Sequence, residues 1–281
     1  ATLEQLMRLA ELVEAGEPIP EALAAAAQHG TSIGGARPKA LLTGPEGRPM
    51  IAKFSSSDDT RPVVKAEGLA MLLARHAGID VPHVEVVRAA GKDVLLVDRF
   101  DRVPAPQGVA RRGMLSMLTI LGESESGSRY RSYVDIAESV RLGPWTDVSG
   151  TLRQVFTRLV FNILIGNTDD HLRNHAAFWD GHELMLTPAY DLSPQPRSTN
   201  PASHAIGITG TERASQLRFA RAAAPHFHLA ADAANDLVDQ VEDAIRVHWD
   251  DCADAARLTQ TERGQLWGRE FVNPYVYYDQ A

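Results

Sequence analysis

At 281 residues the chain is too long for one small core, and two lobes or domains are expected. Its 44% hydrophobic and 23% charged content is an ordinary globular balance, and a net charge of −8 argues against gripping nucleic acid with its own surface. Cys252 stands alone, which excludes a disulfide framework and a cysteine-based zinc site and points to a reducing, cytoplasmic setting; no apolar run nears the roughly 20 residues a membrane span needs, and no signal peptide is visible.

Leu3, Leu6, Met7, Leu9, Ala10 and Leu12 recur at helical spacing, so residues 2–15 are expected to form a short amphipathic helix packed on a lobe. Glu17-Pro18-Ile19-Pro20 breaks it, and an alanine-rich run after Glu21 restarts helix. Gly30, Gly34 and Gly35 then bracket small polar residues ahead of an apolar run, Ala40 to Thr43. Glycine permits positive φ and close backbone approach, which is how amides are aimed at phosphate oxygens. A glycine turn before a strand is commonplace, and this one is neither a Walker A sequence nor GxGxxG.

Pro45-Glu46-Gly47-Arg48 marks a turn, and Pro49 to Phe54 reads as the returning strand. Lys53 lies in that strand between Ala52 and Phe54. A buried ammonium among apolar neighbours needs an anion, whereas an edge-strand lysine would simply meet solvent. Residues 64–77 carry Val64, Ala66, Leu69, Leu72, Leu73 and Ala77 on a helix, and Glu67 in its first turns is placed to pair with Lys53. Gly78 and Pro82 end that helix. Strands over 84–88 and 94–100 follow around the turn Ala90-Gly91-Lys92-Asp93, so residues 38–100 predict a small antiparallel sheet with a single helix.

Pro104, Pro106 and Gly108 predict a loop over 103–113, and from Met114 onward the signals are almost wholly helical. One short helix covers 133–141. The clearest covers 151–165, where Leu152, Val155, Phe156, Leu159, Val160, Ile163 and Leu164 make a broad apolar stripe. It delivers the chain to the polar bend NTDDHLRN, which begins at Asn167. Asp180-Gly181 is a tight-turn signal between strands 176–179 and 184–186. Asp191 is expected at the end of the second strand, so that the hairpin returns it beside Asp169 and Asn174. Three such oxygen-bearing groups suit Mg²⁺, a hard cation completed by substrate phosphates. His175 and His182 have no metal-ligand spacing and read as ordinary strand and turn residues. A loop over 193–206 and helices near 211–224, 229–248 and 252–269 complete the chain.

A glycine loop, a strand lysine, a helix glutamate, an aspartate five residues before an asparagine, and a later aspartate follow the order of a protein kinase. The expected fold is α+β and two-lobed: residues 1–100 as a nucleotide-binding lobe and 101–281 as a mainly helical catalytic lobe. HRD, DFG and APE are absent, so this is not the ordinary eukaryotic type.

SIGGARPKALL, IAKF, a helix ending in GIDVP, LLVDRFDR, NTDDHLRN and LTPAYDLSP together resemble the HipA family over residues 30–195. These are serine/threonine protein kinases that act as toxins of bacterial type II toxin–antitoxin modules. The resemblance implies ATP and Mg²⁺ as cofactors, with Asp169 as catalytic aspartate and Asn174 and Asp191 as metal ligands. It implies that Gly34, Gly35, Ala36, Arg37, Pro38 and Lys39 form the loop over the phosphates and that Lys53 binds them. Asp98, Arg99 and Phe100 match the hinge that holds adenine through its backbone. His171, Leu172, Arg173 and Tyr190 fall among the residues around the nucleotide, and Ser32 matches the serine the family phosphorylates on itself. The implied partners are a translation protein such as an aminoacyl-tRNA synthetase as substrate and a helix-turn-helix antitoxin, with DNA reached only through the antitoxin and no membrane. Fuller members carry a substantial segment ahead of this region, where here 31 residues precede Ser32; a compact or shortened member is implied. Two alternatives stay open. One is a kinase of small molecules such as an aminoglycoside or choline, although Asn167 stands where that class places a histidine. The other is an inactive kinase-fold partner in a repressor complex, against which Lys53, Asp169, Asn174 and Asp191 speak together.

Overall fold

The computed structural model describes residues 2–14, 16–21, 23, 38–56, 59–106, 108–197 and 199–278. Most of the expected alanine-rich helix after Glu21, and the phosphate-loop candidates Ser32, Gly34, Gly35, Ala36 and Arg37, lie outside the described residues. Helix α1 (Leu3–Glu14) is followed by strands β1 (Lys39–Thr43) and β2 (Pro49–Phe54), helix α2 (Val63–His76), and strands β3 (Val84–Ala89) and β4 (Lys92–Asp98). The four strands form one antiparallel sheet in the order β1-β2-β4-β3.

Strand alternation decides which face of this sheet carries chemistry. Along β2, Met50, Ala52 and Phe54 are buried, while Ile51 and Lys53 are half-buried on the opposite face. Ala52 and Phe54 join Ala40, Ala89 and Val94 in a cluster closed by Leu6, Met7 and Leu9 of α1. The other face receives α2, whose Leu69 and Leu73 pack in one cluster with Val86 and Leu95. The approach there is close: a Cβ built on Gly68 would lie 2.5 Å from Val86 Cγ2.

Most of the stretch 103–113, expected as loop, falls in a hairpin of β5 (Arg102–Ala105) and β6 (Gly108–Arg111). Pro104 is tolerated because a two-stranded ribbon leaves each strand a free edge, and Gly108 takes the turn at φ 118°. Met114 opens strand rather than helix: β7 (Met114–Ser116) pairs with β8 (Ala176–Trp179), which pairs with β9 (Leu184–Leu186). Three residues are too few to show a period. Between them lie single helical turns at Met117–Ile120 and Glu125–Ser128, then α3 (Tyr133–Leu142) and α4 (Val148–Leu164). A capping box of Ser132 and Asp135 starts α3, and Asp147 caps α4. Helix α4 runs through the core, with Leu152, Val155, Phe156, Leu159, Val160 and Ile163 fully buried.

Asp191 does not end β9, which stops at Leu186. The rest of the distance is covered by irregular chain, pinned where the Ala189 amide donates to the Asp80 carbonyl (2.7 Å). Asp191 itself sits at φ 60°. The helix expected from 211 begins only at α5 (Leu217–Ala223), because short bridges such as Ser203 to Ala214 and Thr209 to Glu212 hold the preceding segment. Helix α6 (Ala231–Val247) follows. The helix expected over 252–269 is two helices, α7 (Trp249–Ala255) and α8 (Gln260–Leu266). Arg257 breaks it at φ 60°, and Thr259 with Glu262 forms a capping box that starts α8. That Thr-x-x-Glu pattern was a readable signal. No helix among the described residues is long and apolar enough to cross a membrane.

Gly68→Ala gains helix propensity of about 1 kcal/mol, but overpacking a stiff valine costs about 1–3 kcal/mol. The expected outcome is a net loss of stability in urea unfolding. A gain would show that α2 does not press on β3 as described.

Candidate active site

Lys53 reaches across the inner face of the sheet into a cleft of 340 Å³. Its Nζ donates to Glu67 Oε1 of α2 at 2.5 Å and to Asp191 Oδ1 at 2.7 Å. Burial works against the ammonium, but the two carboxylates outweigh it and raise its pKa above the ordinary lysine value. Asp191 shows the mirror effect. Burial would raise its pKa, yet Lys53 first and then Lys39 and His171 hold it below the usual carboxylate range. Its side chain is 49% exposed against 16% for Lys53, so the carboxylate faces the open cleft while the ammonium is enclosed.

The remaining walls divide by chemistry. Ile51, Met71, Val97, Phe100 and Met114 supply apolar surface, and Lys39, Lys53, Glu67, Asp98, Arg99, Asp101 and Asp191 supply charge. Such a cleft suits a ligand with a flat apolar part and an anionic tail. At its edge the Asp98 amide donates to His83 O and the Arg99 amide to Pro49 O, both at 2.9 Å. Arg99 also holds Asp101 through two bonds of 2.9 and 2.7 Å, and Asp98 accepts from Arg48 at 2.8 Å. Phe100 packs against Tyr190, with ring centroids 5.7 Å apart. Burial first, then the Asp191 charge, pushes the Tyr190 phenol up to about 12. Its hydroxyl therefore keeps its proton and donates to the Arg173 carbonyl at 2.6 Å, joining the cleft floor to the polar bend.

In that bend neighbouring aspartates have opposite surroundings. Asp169 is exposed, whereas Asp170 is buried. Asp170 accepts from the Tyr133 hydroxyl and lies 2.7 Å from His175 Nε2. Burial opposes its charge, but His175 and these hydrogen bonds hold its pKa low. Asn162 donates to Tyr133 Oη at 3.0 Å, and Asn167 donates to Asn162 Oδ1 at 3.1 Å. The bend is thus fastened from beneath by buried side chains. Sequence reading passed over Asp170, and it gave His175 a bland strand role although that ring is the carboxylate's partner.

Lys39, Lys53, Glu67, Asp98, Arg99, Phe100, Tyr190 and Asp191 are all brought to the cleft. Leu172 is not: its side chain is fully buried in the core. His171 and Arg173 line a neighbouring depression of 180 Å³ with Glu125 and Arg129, where Arg173 pairs with Glu125 at 2.5 Å. Pro38 lies beside the cleft, its carbonyl accepting from the Phe54 amide. Asn174 is buried, and its amide donates to the His171 carbonyl at 2.8 Å. Among the described residues no three His, Cys, Asp or Glu side chains gather as a metal site. The cleft lining includes Asp191 but neither Asn174 nor Asp169; carboxylate and amide oxygens are donors of the type a hard cation takes, with phosphate and water oxygens completing its shell.

A family model described as the HipA-like C-terminal domain matches residues 31–249. The chain belongs to the HipA family. It is 30% identical over 141 residues to the serine/threonine-protein kinase toxin HipA of Shewanella oneidensis, covering 45% of this chain and 33% of that protein. The HipA-family chain thus spans about a third of the length of that curated relative. Among solved structures it resembles a chain of the complex of HipA, HipB and operator DNA from Shewanella oneidensis (TM-score 0.72, 20% identity, 94% of this chain and 70% of that one). It also resembles the Helicobacter pylori proinflammatory kinase CtkA (TM-score 0.50, 11% identity, 78% of this chain and 94% of that one). The fold is that of these kinases.

His204, buried behind the bend, has its pKa held down to about 4 by burial, partly opposed by Asp170. An unfolded histidine titrates near 6.5, so the unfolded chain binds more protons between roughly pH 4 and 6.5. Stability is therefore full above that window and falls as pH drops through it, by about 3 kcal/mol. His204→Leu should show a shallower decline in urea unfolding between pH 7 and 4; parallel declines would refute the assignment.

Proposed function

We propose that this chain is a Mg-ATP-dependent serine/threonine protein kinase of the HipA toxin type. The observation that carries the reading is Lys53 held jointly by Glu67 and Asp191. That arrangement holds a fixed positive charge in the cleft. Lys53 would meet the α and β phosphates, with Lys39 and the undescribed segment 34–37 beside it. Adenine would lie against the apolar side chains Ile51, Met71, Val97 and Met114. Since the Asp98 and Arg99 amides are committed within the fold, amide donation to the base falls to Phe100.

Asn174 and Asp191 would hold Mg²⁺, which supplies charge neutralisation at the phosphates. Asp169, exposed at the bend, would accept the proton of the attacking hydroxyl as its oxygen bonds to the γ-phosphorus and the β–γ bridge bond breaks. His171 would face the phosphates, and Arg173 would add charge beside it. The solved relative's complex holds HipB and operator DNA; for this chain we propose a helix-turn-helix antitoxin as partner, with DNA reached through it. A translation protein such as an aminoacyl-tRNA synthetase is the proposed substrate, Ser32 the self-phosphorylated residue, and the cytoplasm the compartment.

Incubation with labelled ATP, Mg²⁺ and bacterial lysate should label Ser32 and one lysate protein. Asp169→Asn should reduce transfer by about 10²- to 10⁴-fold, with nucleotide binding retained. Label confined to small molecules would instead indicate a small-molecule kinase, and nucleotide binding without transfer an inactive partner.

Lys53→Met should abolish transfer while circular dichroism stays unchanged. Full activity in that variant would pass the phosphate role to Lys39.

A further inference from the structure

Helix α2 is gripped on its outer side by the far end of the chain. Arg61, just ahead of α2, donates from Nη1 to both carboxylate oxygens of Glu270 at 2.8 Å and from Nη2 to the Pro194 carbonyl at 2.9 Å. Lys65, in the first turn of α2, donates to the two carboxylate oxygens of Glu262 at 3.0 and 3.1 Å. Its Nζ also lies 3.4 Å from Asp93. Lys65 and Glu270 are buried, so these are not loose surface pairs. Residues two apart on a helix point to nearly opposite sides. Glu67 therefore faces the cleft while Lys65 faces away from it, and the same turn of helix is held from both sides.

The anchors connect to the catalytic segments. Glu262 belongs to the capping box of α8, where it also accepts from the Thr259 amide at 2.7 Å. Glu270 lies just past α8, in a segment seated on the joint between α4 and the polar bend. There the Val272 amide donates to Leu164 O at 2.6 Å, and a Cβ on Gly166 would come within 2.7 Å of the Glu270 carbonyl oxygen. Pro194 lies shortly past Asp191, and the neighbouring Gln195 amide donates to Gly166 O at 3.0 Å. The Arg61 guanidinium thus touches both the Asp191 segment and the tail that braces the base of the bend.

We propose that Arg61 and Lys65 are positioning residues. Through Glu270, Pro194 and Glu262 they lock α2 in the register that sets Glu67 on Lys53, and they tie that register to the Asp191 segment. The catalytic arrangement is thereby assembled from within the chain, by its C-terminal segment. This rests on the kinase reading, and the test has one arm independent of it.

The full chain is compared with Arg61→Gln, Glu270→Gln, the double variant and Arg61→Lys. In the transfer arm kcat should fall about 10- to 100-fold in each Gln variant while KM for ATP moves little. The double variant should be no worse than Arg61→Gln, because losing Arg61 already removes the Glu270 contact, and Arg61→Lys should recover part of the loss. In the second arm, amide exchange of residues 63–76 and 190–195 should quicken while α4 stays protected. Quickened exchange with wild-type kcat, additive losses, or unchanged exchange would each overturn the proposal. Should Arg61→Gln fail to fold, Arg61→Lys and Lys65→Gln decide by the same readouts. A wild type that transfers no phosphate refutes the kinase reading, and the exchange arm then judges the lock alone.

Discussion

One ammonium between two carboxylates organises this molecule. Lys53 comes from the sheet, Glu67 from the helix packed on it, and Asp191 from irregular chain beyond the large lobe's hairpin. Enclosing a charge this way is costly unless its partners stay put, and removing one partner of a buried pair typically costs about 3–5 kcal/mol. Much of the architecture serves to keep the three together. The close approach at Gly68 sets α2 against the sheet, the Ala189 amide fixes the chain leading to Asp191, and Arg61 spans the gap between them.

The polar bend shows how position selects a role for chemically identical groups. Asp169 and Asp170 are adjacent, yet one meets solvent and the other is sealed against Tyr133 and His175. Charged in a low-dielectric surround, Asp170 tolerates little movement of its donors, and that intolerance is what makes the bend rigid. Tyr190 adds a brace from the cleft side through the Arg173 carbonyl. The loop that would do chemistry therefore moves only if a buried network is broken.

Much of this was readable in the sequence because it is local. The stripe over 151–165 became α4, Asp180-Gly181 became a hairpin turn, and Lys53 amid apolar neighbours did require anions. What escaped was set by distant partners. Tyr133 and Asp170 are 37 residues apart and Arg61 and Glu270 are 209 apart, and no period or spacing announces such pairs. The hairpin at 102–111 escaped for another reason: its prolines are loop signals unless a free edge excuses them. Asp191 was expected at the end of a strand beside Asp169 and Asn174; it lies instead on irregular chain past β9, where its carboxylate meets Lys53.

The left-handed backbone at Asp191 narrows which side chains fit there. At φ 60° the residues that fit at low cost are glycine, asparagine and aspartate, whose short side chains tolerate that region. Only one of them carries a negative charge. Glutamate would bring the charge but strain the backbone and overshoot by a methylene. Conformation and the ion pair with Lys53 thus converge independently on aspartate.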